Sequence, residues 1–280
     1  MIVGANVLGY SRGGCILDVL SGGVPQVAYG LRRLTASYNG KCLNVRRSSD
    51  NSAMDIGFRG NSLDMVTLLA FVGSGSGYIT TWYNQGALGS SGNASQGTAA
   101  NQPTIVAAGS LVTQNGLPAM SMSSTSQKID MPMAAQPSGS ASNSVNIVAA
   151  PAGTSAVGFW YYLGTNSGHG ARTLYTPTGT YYRIWDATTY VGTGNIITTS
   201  TAILTALWSV GTSYLFMNGT QEISTTSLSA LNTVPLSSAY VGGLIGTMSE
   251  FIATISTTWS TADRQLIEHN QESYFSITGV

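Results

Sequence analysis

The sequence predicts an all-β sandwich with a few short helices and a C-terminal helix, and three observations carry that prediction. From Tyr78 onward, short β-branched and aromatic runs are broken every eight to twelve residues by Gly, Asn, Ser or Pro, the spacing of a sandwich or barrel. Asn218-Gly219 follows the Tyr214–Met217 run and supplies the two residues tolerant of positive φ that a type I′ hairpin turn needs. Only Thr261 to Ser273 has a sustained helical pattern, with Ser260 or Thr261 as cap, Asp263 in the first turn, and Leu266, Ile267 and Tyr274 able to face inward.

Taken in order, Met1 to Pro25 alternates small apolar runs with Gly9, Gly13-Gly14 and Gly22-Gly23. It reads as an N-terminal arm, either docked on a partner or completing the sheet of its own domain. Residues 26–280 read as one domain. Its leading segment, 26–104, is denser in charge: a short helix is expected over Ala28 to Tyr38, a strand over Leu43 to Arg47, and a second short helix over Ser62 to Phe71. In that second helix Leu63, Val66, Thr67 and Ala70 share a face at 3.6 periodicity, with Asp64 in the first turn. Strands are expected at Gly77 to Tyr83, Ala119 to Ser123, Ser144 to Ala149, Val157 to Leu163, Tyr181 to Trp185, Ala202 to Val210, Ser213 to Met217, Ala239 to Val241 and Ser249 to Ser256. Ala134 to Ser144, rich in Ser, Ala and Pro, reads as a flexible loop.

Composition narrows the function. Charged residues are 8% of the chain and the hydrophobic share is 43%, so neutral polar residues fill the place of the usual ~25% charge. With Trp 5 and Tyr 14 the chain has the aromatics that disordered chains lack. Lys+Arg 11 against Asp+Glu 11 leaves no basic field, which argues against nucleic acid and anionic lipid as partners. No apolar stretch approaches the ~20 residues of a membrane span. The N-terminus has no charged segment followed by an apolar core, so no secretory signal peptide is expected. Cys15 and Cys42 fit neither a metal site nor a redox pair; two buried thiols are expected, with their pairing left open.

Two blocks carry a resemblance. Tyr29-Gly-Leu-Arg-Arg-Leu-Thr-Ala-Ser-Tyr38, Val45-Arg-Arg-Ser-Ser-Asp-Asn51, Asp55-Ile-Gly-Phe58 and Thr80-Thr-Trp-Tyr-Asn-Gln85 resemble the opening of the arabinofuranosidase B catalytic domain. Ser213-Tyr-Leu-Phe-Met-Asn-Gly219, Tyr240-Val-Gly-Gly-Leu-Ile-Gly-Thr-Met-Ser-Glu-Phe-Ile252 and Thr261-Ala-Asp-Arg-Gln-Leu-Ile-Glu268 are similar to the end of concanavalin A-like lectin and glucanase domains, laminin-G-like ones included. The resemblance implies a jelly-roll sandwich, arabinofuranosidase-like over 26–104 and laminin-G-like over 105–280. The combination also resembles domains of bacteriophage virion proteins. It implies a structural or adhesive particle component, a head decoration, fibre or tail part, assembled in the host cytoplasm with other virion proteins and its own copies, and able to meet a cell-surface glycan. The alternative is a glycoside hydrolase related to α-L-arabinofuranosidases. Against it, the enzymes follow the Trp82-Tyr83 motif with an Asp where this chain has Asn84, and neither their adjacent cysteine pair nor their Met-Glu-Asn motif is present.

No catalytic residue, metal or cofactor is therefore expected. A glycosidase needs two carboxylates at a set separation, and the runner-up pair is Asp186 and Glu250. Asp130 and Glu222 are the other acids of the sandwich half; Glu222 reads as a solvated hairpin residue and Asp186 as a partner for Arg183. Arg32-Arg33 and Arg46-Arg47, with Asp50, Asp55 and Asp64 close by, read as an internal salt-bridge network or an anion site. His169, in Asn166-Ser-Gly-His-Gly-Ala-Arg172, is a loop histidine, and His269 a surface one. The aromatic runs Phe159-Trp-Tyr-Tyr162 and Tyr181-Tyr-Arg-Ile-Trp185 alternate faces, so one set points away from the core, either onto a sugar or into a subunit contact. The carbohydrate-contact candidates are Trp82, Trp160, Tyr162, His169, Arg172, Arg183 and Trp185.

Overall fold

The computed structural model describes residues 14–138, 141–153, 158–163, 172–176, 183–186, 189–191, 199–209, 211–225 and 239–278. Its strands pair antiparallel; apart from two small hairpins, Phe58–Arg59 with Ser62–Leu63 and Thr113–Gln114 with Leu117–Pro118, they join in one network that folds over into two layers. The front layer runs, in spatial order, through Ala53–Ile56, Leu43–Arg47, Gly77–Trp82, Ala94–Ser95, Lys128–Asp130, Tyr240–Gly242, Gly158–Leu163, Arg172–Thr176, Arg183–Asp186 and Thr189–Val191. In the back layer Gly246–Ala253 is central: Val27–Gly30 and Met120–Met122 pair with it on one side and Asn143–Pro151 on the other, followed by Ala202–Ser209, Thr212–Met217 and Thr220–Thr225. Thr104–Ala107 pairs with both Gly77–Trp82 and Met120–Met122 and so links the layers.

The core fills the space between them. Leu43, Trp82, Ile129, Tyr161, Leu174, Ile184 and Val241 come from the front; Tyr29, Val145, Ile147, Leu204, Trp208, Leu215 and Phe251 from the back. Aromatic contacts cross the gap, with Tyr29 and Trp82 ring centroids 5.5 Å apart and Tyr161 and Phe251 5.7 Å apart, within the range of favourable ring pairs. At the hairpin of Thr212–Met217 with Thr220–Thr225, Asn218 and Gly219 have φ 47° and 76°, as the turn chemistry predicts.

Every residue of Asn143–Pro151 is buried, because the outer face of the back layer is also covered. The C-terminal helix α2 (Thr261–Phe275), capped by Ser260, lies over it, and its inward face sets Arg264, Glu268, Asn270 and Gln271 beside the apolar Ile267 and Phe275. Glu250, on the central strand and fully buried, takes a two-pronged ion pair from Arg32, Nε to Oε2 at 2.7 Å and Nη2 to Oε1 at 3.1 Å. Arg32 Nη2 also donates to Asn270 at 2.8 Å, and Gln271 Nε2 donates to Glu250 at 2.9 Å. Arg264 pairs with Glu268 one turn along α2, its guanidinium 3.8 Å from the Phe216 ring centroid.

Several expectations are corrected. Ala28 to Tyr38 forms no helix: Val27–Gly30 is a strand paired residue for residue with Glu250 to Ala253, so sheet pairing overrides local propensity. Ser62–Leu63 belongs to a small hairpin with Phe58–Arg59. Helix α1 (Met65–Val72) starts after Asp64, which caps it by accepting from the Thr67 amide at 3.1 Å. It buries Leu68 and Val72 while Val66 is 62% exposed; the stretch is apolar at nearly every position, so periodicity could not choose the face. The final core strand is Gly246–Ala253, displaced toward the N-terminus from the expected Ser249 to Ser256. The region expected as a flexible loop contains a helical turn at Met133–Ala135, with Ala135 and Gln136 buried.

Nor do the arginine pairs form the expected network. Arg47 pairs with Asp50 in the adjoining turn, Arg46 donates to Gln102 and Asn51, Asp64 is spent as a cap, and Asp55 accepts from Asn44 and Tyr83. Arg32 instead finds Glu250, because strand pairing sets Gly30 beside that carboxylate. The two thiols are unpaired, Cys42 buried and Cys15 partly so.

Residues 14–25 are packed, contrary to the reading of an unpacked arm, although not as a strand; residues 1–13 lie outside the described residues. Ile16, Leu17 and Leu20 bury against Leu34, Ile252, Trp259 and Ile267, and the Leu17 amide donates to Leu34 O at 3.0 Å. Asp263 on α2 accepts from the amides of Ser21 at 2.8 Å and Gly22 at 3.0 Å.

Two outcomes follow. Glu250→Ala strands the Arg32 charge and should cost about 3–5 kcal/mol, whereas the paired change Glu250→Leu with Arg32→Met should recover most of it; urea unfolding of the two variants checks this. Burial pushes the Asp263 carboxyl up, but the hydrogen bonds from Ser21, Gly22 and Ser260 outweigh it and hold the group below the ordinary range. Its stabilisation is complete above the unfolded value of ~3.9 and is lost as pH falls through the lower folded value. On acidification, the protection of the Leu17 amide against hydrogen exchange, relative to its intrinsic rate at each pH, should therefore fall before that of Phe251.

Candidate ligand-binding face

Helix α2 and residues 14–25 close the back layer, whereas no described element packs over the outer side of the front layer. The structure sorts the predicted contact residues accordingly. Trp82 and Trp160 are fully buried in the core and face no ligand. Strict alternation placed Trp160 and Tyr162 together, but the register shifts between Phe159 and Tyr161, and this bulge lets Trp160 and Tyr161 both turn inward while Phe159 and Tyr162 stay half-buried. A bulge breaks period two in this way.

Tyr162 remains on the outer side. Arg172, Arg183, Trp185 and Asp186 lie on strands whose backbone is described, with Arg172 in register with Leu163 and Asp186; their side chains, and all of His169, lie outside the described residues. Glu250, the other runner-up acid, is sealed in the ion pair with Arg32. Among the described residues, no group of three or more His, Cys, Asp and Glu is placed to hold a metal ion.

Residues directly opposite on antiparallel strands project to the same side, and one line of such partners crosses the front layer. It runs Asp55, Asn44, Thr81, Ser95, Asp130, Tyr240 and Tyr162, and the backbone register continues through Thr173, Trp185 and Tyr190. From Asp55 to Tyr162 these residues are exposed or half-buried, whereas the adjacent line through Leu43, Trp82, Ala94, Ile129, Val241 and Tyr161 is buried in the core.

The centre of the line is an ordered cluster. Tyr162 and Tyr240 rings stack at 5.0 Å, Phe159 meets Tyr162 edge-on at 5.2 Å, and Lys128 Nζ sits 3.9 Å from the Tyr240 ring centroid. The ring faces are thus engaged with one another, which leaves the phenol hydroxyls and ring edges as the groups a ligand would meet. Burial pushes the Tyr240 phenol up to about 12, with the Tyr162 and Asp130 charges adding to it, and burial also raises Tyr162; both are hydrogen-bond donors at neutral pH. Burial raises the Asp130 carboxyl as well, opposed by Lys128 and by a hydrogen bond from Gln96 Nε2 at 3.3 Å. Sequence reasoning weighs Asp130 only as one of the scarce acids and misses Tyr240 and Lys128, because their strands span three residues each; the one signal is the alternation of Lys128–Asp130, half-buried, buried, half-buried.

At the other end of the line, Asp55 accepts from Asn44 Nδ2 and Tyr83 Oη, each at 2.7 Å. These bonds hold its carboxyl below the ordinary range, the Asn44 bond most strongly and against the effect of burial. Other described acids are also committed: Asp18 to Thr35 and the Ala36 amide, Asp50 to Arg47, Asp64 to the cap of α1, Asp263 to the residue 14–25 segment and Glu268 to Arg264.

No family model matches this chain, and no curated protein matches it. Among solved structures it is similar to a GH54 α-L-arabinofuranosidase soaked with a cyclic sulfate inhibitor, at 16% identity and TM-score 0.70, covering 91% of this chain and 63% of that one. It is also similar to an arabinofuranosidase complexed with arabinofuranosyl-α-1,2-xylobiose, at 17% identity and TM-score 0.71, over 89% of this chain and 62% of that one. A Trypanosoma rangeli sialidase in complex with the inhibitor DANA matches at 8% identity and TM-score 0.50, over 68% of this chain and 30% of that one. The chain thus spans less than two thirds of the length of these structures, and at such identities the likeness shows a shared sandwich fold.

Asn84 occupies the position where the resembling enzymes carry Asp, and here its amide is a structural part. Its Oδ1 accepts from the amides of Ala28 at 2.7 Å and Gly86 at 3.0 Å, while Nδ2 donates to the carbonyls of Gln26, Gly86 and Gly89. Asn84→Asp should therefore destabilise by at least the ~1–3 kcal/mol of an unsatisfied buried group, since a carboxylate would confront three carbonyl oxygens. The deficit should shrink as pH is lowered and the new acid protonates, because its folded pKa is raised. Thermal unfolding of both proteins between pH 4 and 8 checks the sign.

Proposed function

We propose that this chain is a non-hydrolytic carbohydrate-binding sandwich with a structural or adhesive role, and that it engages glycans through the outer side of its front layer. The observation that carries this reading is the half-buried Tyr162–Tyr240 pair, set in register with hydroxyl and carboxylate groups on a layer that no described element covers. Sugar hydroxyls both donate and accept, and phenols, Ser, Thr and carboxylate match them group for group. The same reading makes the protein a virion component, a head decoration, fibre or tail part, associating with its own copies and with other particle proteins. Support for that part comes from the nearly uncharged polar composition and from the resemblance of its motif blocks to bacteriophage sandwich domains.

A second reading, glycoside hydrolysis, is favoured by one observation: the Asp130 carboxyl is raised by burial, as a general acid requires. A partner carboxylate is also needed, and the flanking strands, Ala94–Ser95 and Tyr240–Gly242, carry no acid.

Tyr162→Phe and Tyr240→Phe keep the stacked rings and remove one hydroxyl each. Each should weaken glycan binding by about 2- to 13-fold, the loss of one hydrogen bond worth ~0.5–1.5 kcal/mol, with thermal stability unchanged. No arabinose should be released from aryl arabinofuranosides. Release that Asp130→Asn or Asp186→Asn abolishes would establish the hydrolase reading instead, and a glycan-independent change of oligomeric state in the Tyr variants would mark the face as a subunit contact.

A further inference from the structure

The register line gives the face a direction. Tyr162 pairs with Tyr240, Tyr240 with Asp130, Asp130 with Ser95 and Ser95 with Thr81. At about 4.8 Å per strand step, that path is roughly 19 Å long. Along the strands the polar groups stop sooner. Gly242, two residues beyond Tyr240, has no side chain, and Ala94–Ser95 spans two residues in all. Around Tyr240, Ser95 and Asp130 the surface therefore offers its hydrogen-bonding groups mainly across the strands, with Lys128, two residues along from Asp130, engaged on the Tyr240 ring.

The charges on this path offset each other. Lys128 sits on the Tyr240 ring and stabilises the Asp130 carboxylate from the same strand. A bound anion would have to compete with Asp130 for Lys128, and a bound cation would meet Lys128 itself. A ligand without charge meets neither penalty, and alternating phenol, carboxylate and hydroxyl groups suit a polyol whose hydroxyls both donate and accept. The flanking groups are preorganised by Tyr–Tyr stacking and by the Gln96 hydrogen bond to Asp130, so little side-chain entropy is lost on binding.

We infer that the ligand is a linear, uncharged glycan lying across the strands from Tyr162 to Thr81. This rests on the glycan-binding reading of the face and adds to it the ligand's charge, its shape and its orientation. About four sugar rings span the path if one ring covers one strand spacing of about 4.8 Å. Ser95, exposed and midway along the path, does not take part in the Tyr162–Tyr240 contact and so separates a long ligand from a short one.

The test titrates the full chain with xylo-, cello- and malto-oligosaccharides of two to six units and with oligogalacturonates, by calorimetry. In at least one neutral series affinity should rise about tenfold or more from two to four or five units and then level off, and oligogalacturonates should bind at least about tenfold more weakly. Ser95→Arg should weaken binding of the long oligomer by a larger factor than binding of the short one. Affinity that is independent of length, yet weakened by Tyr240→Phe, would overturn the crossing geometry while leaving the glycan-binding reading intact. Preference for the acidic series would overturn neutrality alone. Absence of binding in every series would overturn the inference together with the reading beneath it.

Discussion

The buried Arg32–Glu250 pair sets the terms for the rest of the molecule. A carboxylate in the middle of a central strand, with no water, is tolerated only beside a cation and further donors. Arg32 comes from the turn after Val27–Gly30, and Asn270 and Gln271 come from α2. Satisfying Glu250 therefore requires the first strand and the last helix to arrive at the same place, which ties the two ends of the described chain together. Once α2 is seated, Asp263 presents its oxygens to Ser21 and Gly22, and residues 14–25 follow. One polar seam closes the back of the sandwich, and the outer side of the front layer is left without a described covering element.

Much of this architecture was legible because it depends on period and turn chemistry. The strands around Leu43, Ile79, Ile147, Leu204 and Leu215 announce themselves as β-branched and aromatic runs between turn residues, the Asn218-Gly219 hairpin by its two residues, and α2 by its Ser260 cap. What escaped the sequence depends on contacts far apart in the chain. The helical look of Ala28 to Tyr38 yields to pairing with residues more than two hundred positions away, and the partner of Arg32 could not be chosen among nearby acids. For the candidate site, Tyr162 was visible, but the bulge that buries Trp160 was not, since nothing in Phe159-Trp-Tyr-Tyr162 marks where alternation slips. Tyr240, Lys128 and Asp130 become a cluster only through register.

Scarcity of charge gives the acids of this sandwich a particular distribution. With Asp+Glu 11 in the whole chain, many of the described ones are already committed as helix caps, turn clamps or ion-pair partners. Those carboxylates hold the molecule together, and the outer side of the front layer shows Asp55 and Asp130 among hydroxyls, amides and phenols. The sandwich shape is shared with the arabinofuranosidases.

The Asn84 amide shows how firmly a polar side chain can be fixed in such a structural duty. Its nitrogen is wedged among the carbonyls of Gln26, Gly86 and Gly89, and neighbouring Gln85 binds the backbone of Gly30, Arg32 and Leu34 in the same manner. A codon change that placed an acid there would be penalised at once, unless the surrounding loops first turned their carbonyls away. The turn thus polices its own sequence: position 84 admits only a side chain that donates on one side and accepts on the other, a demand met among the standard residues by an amide.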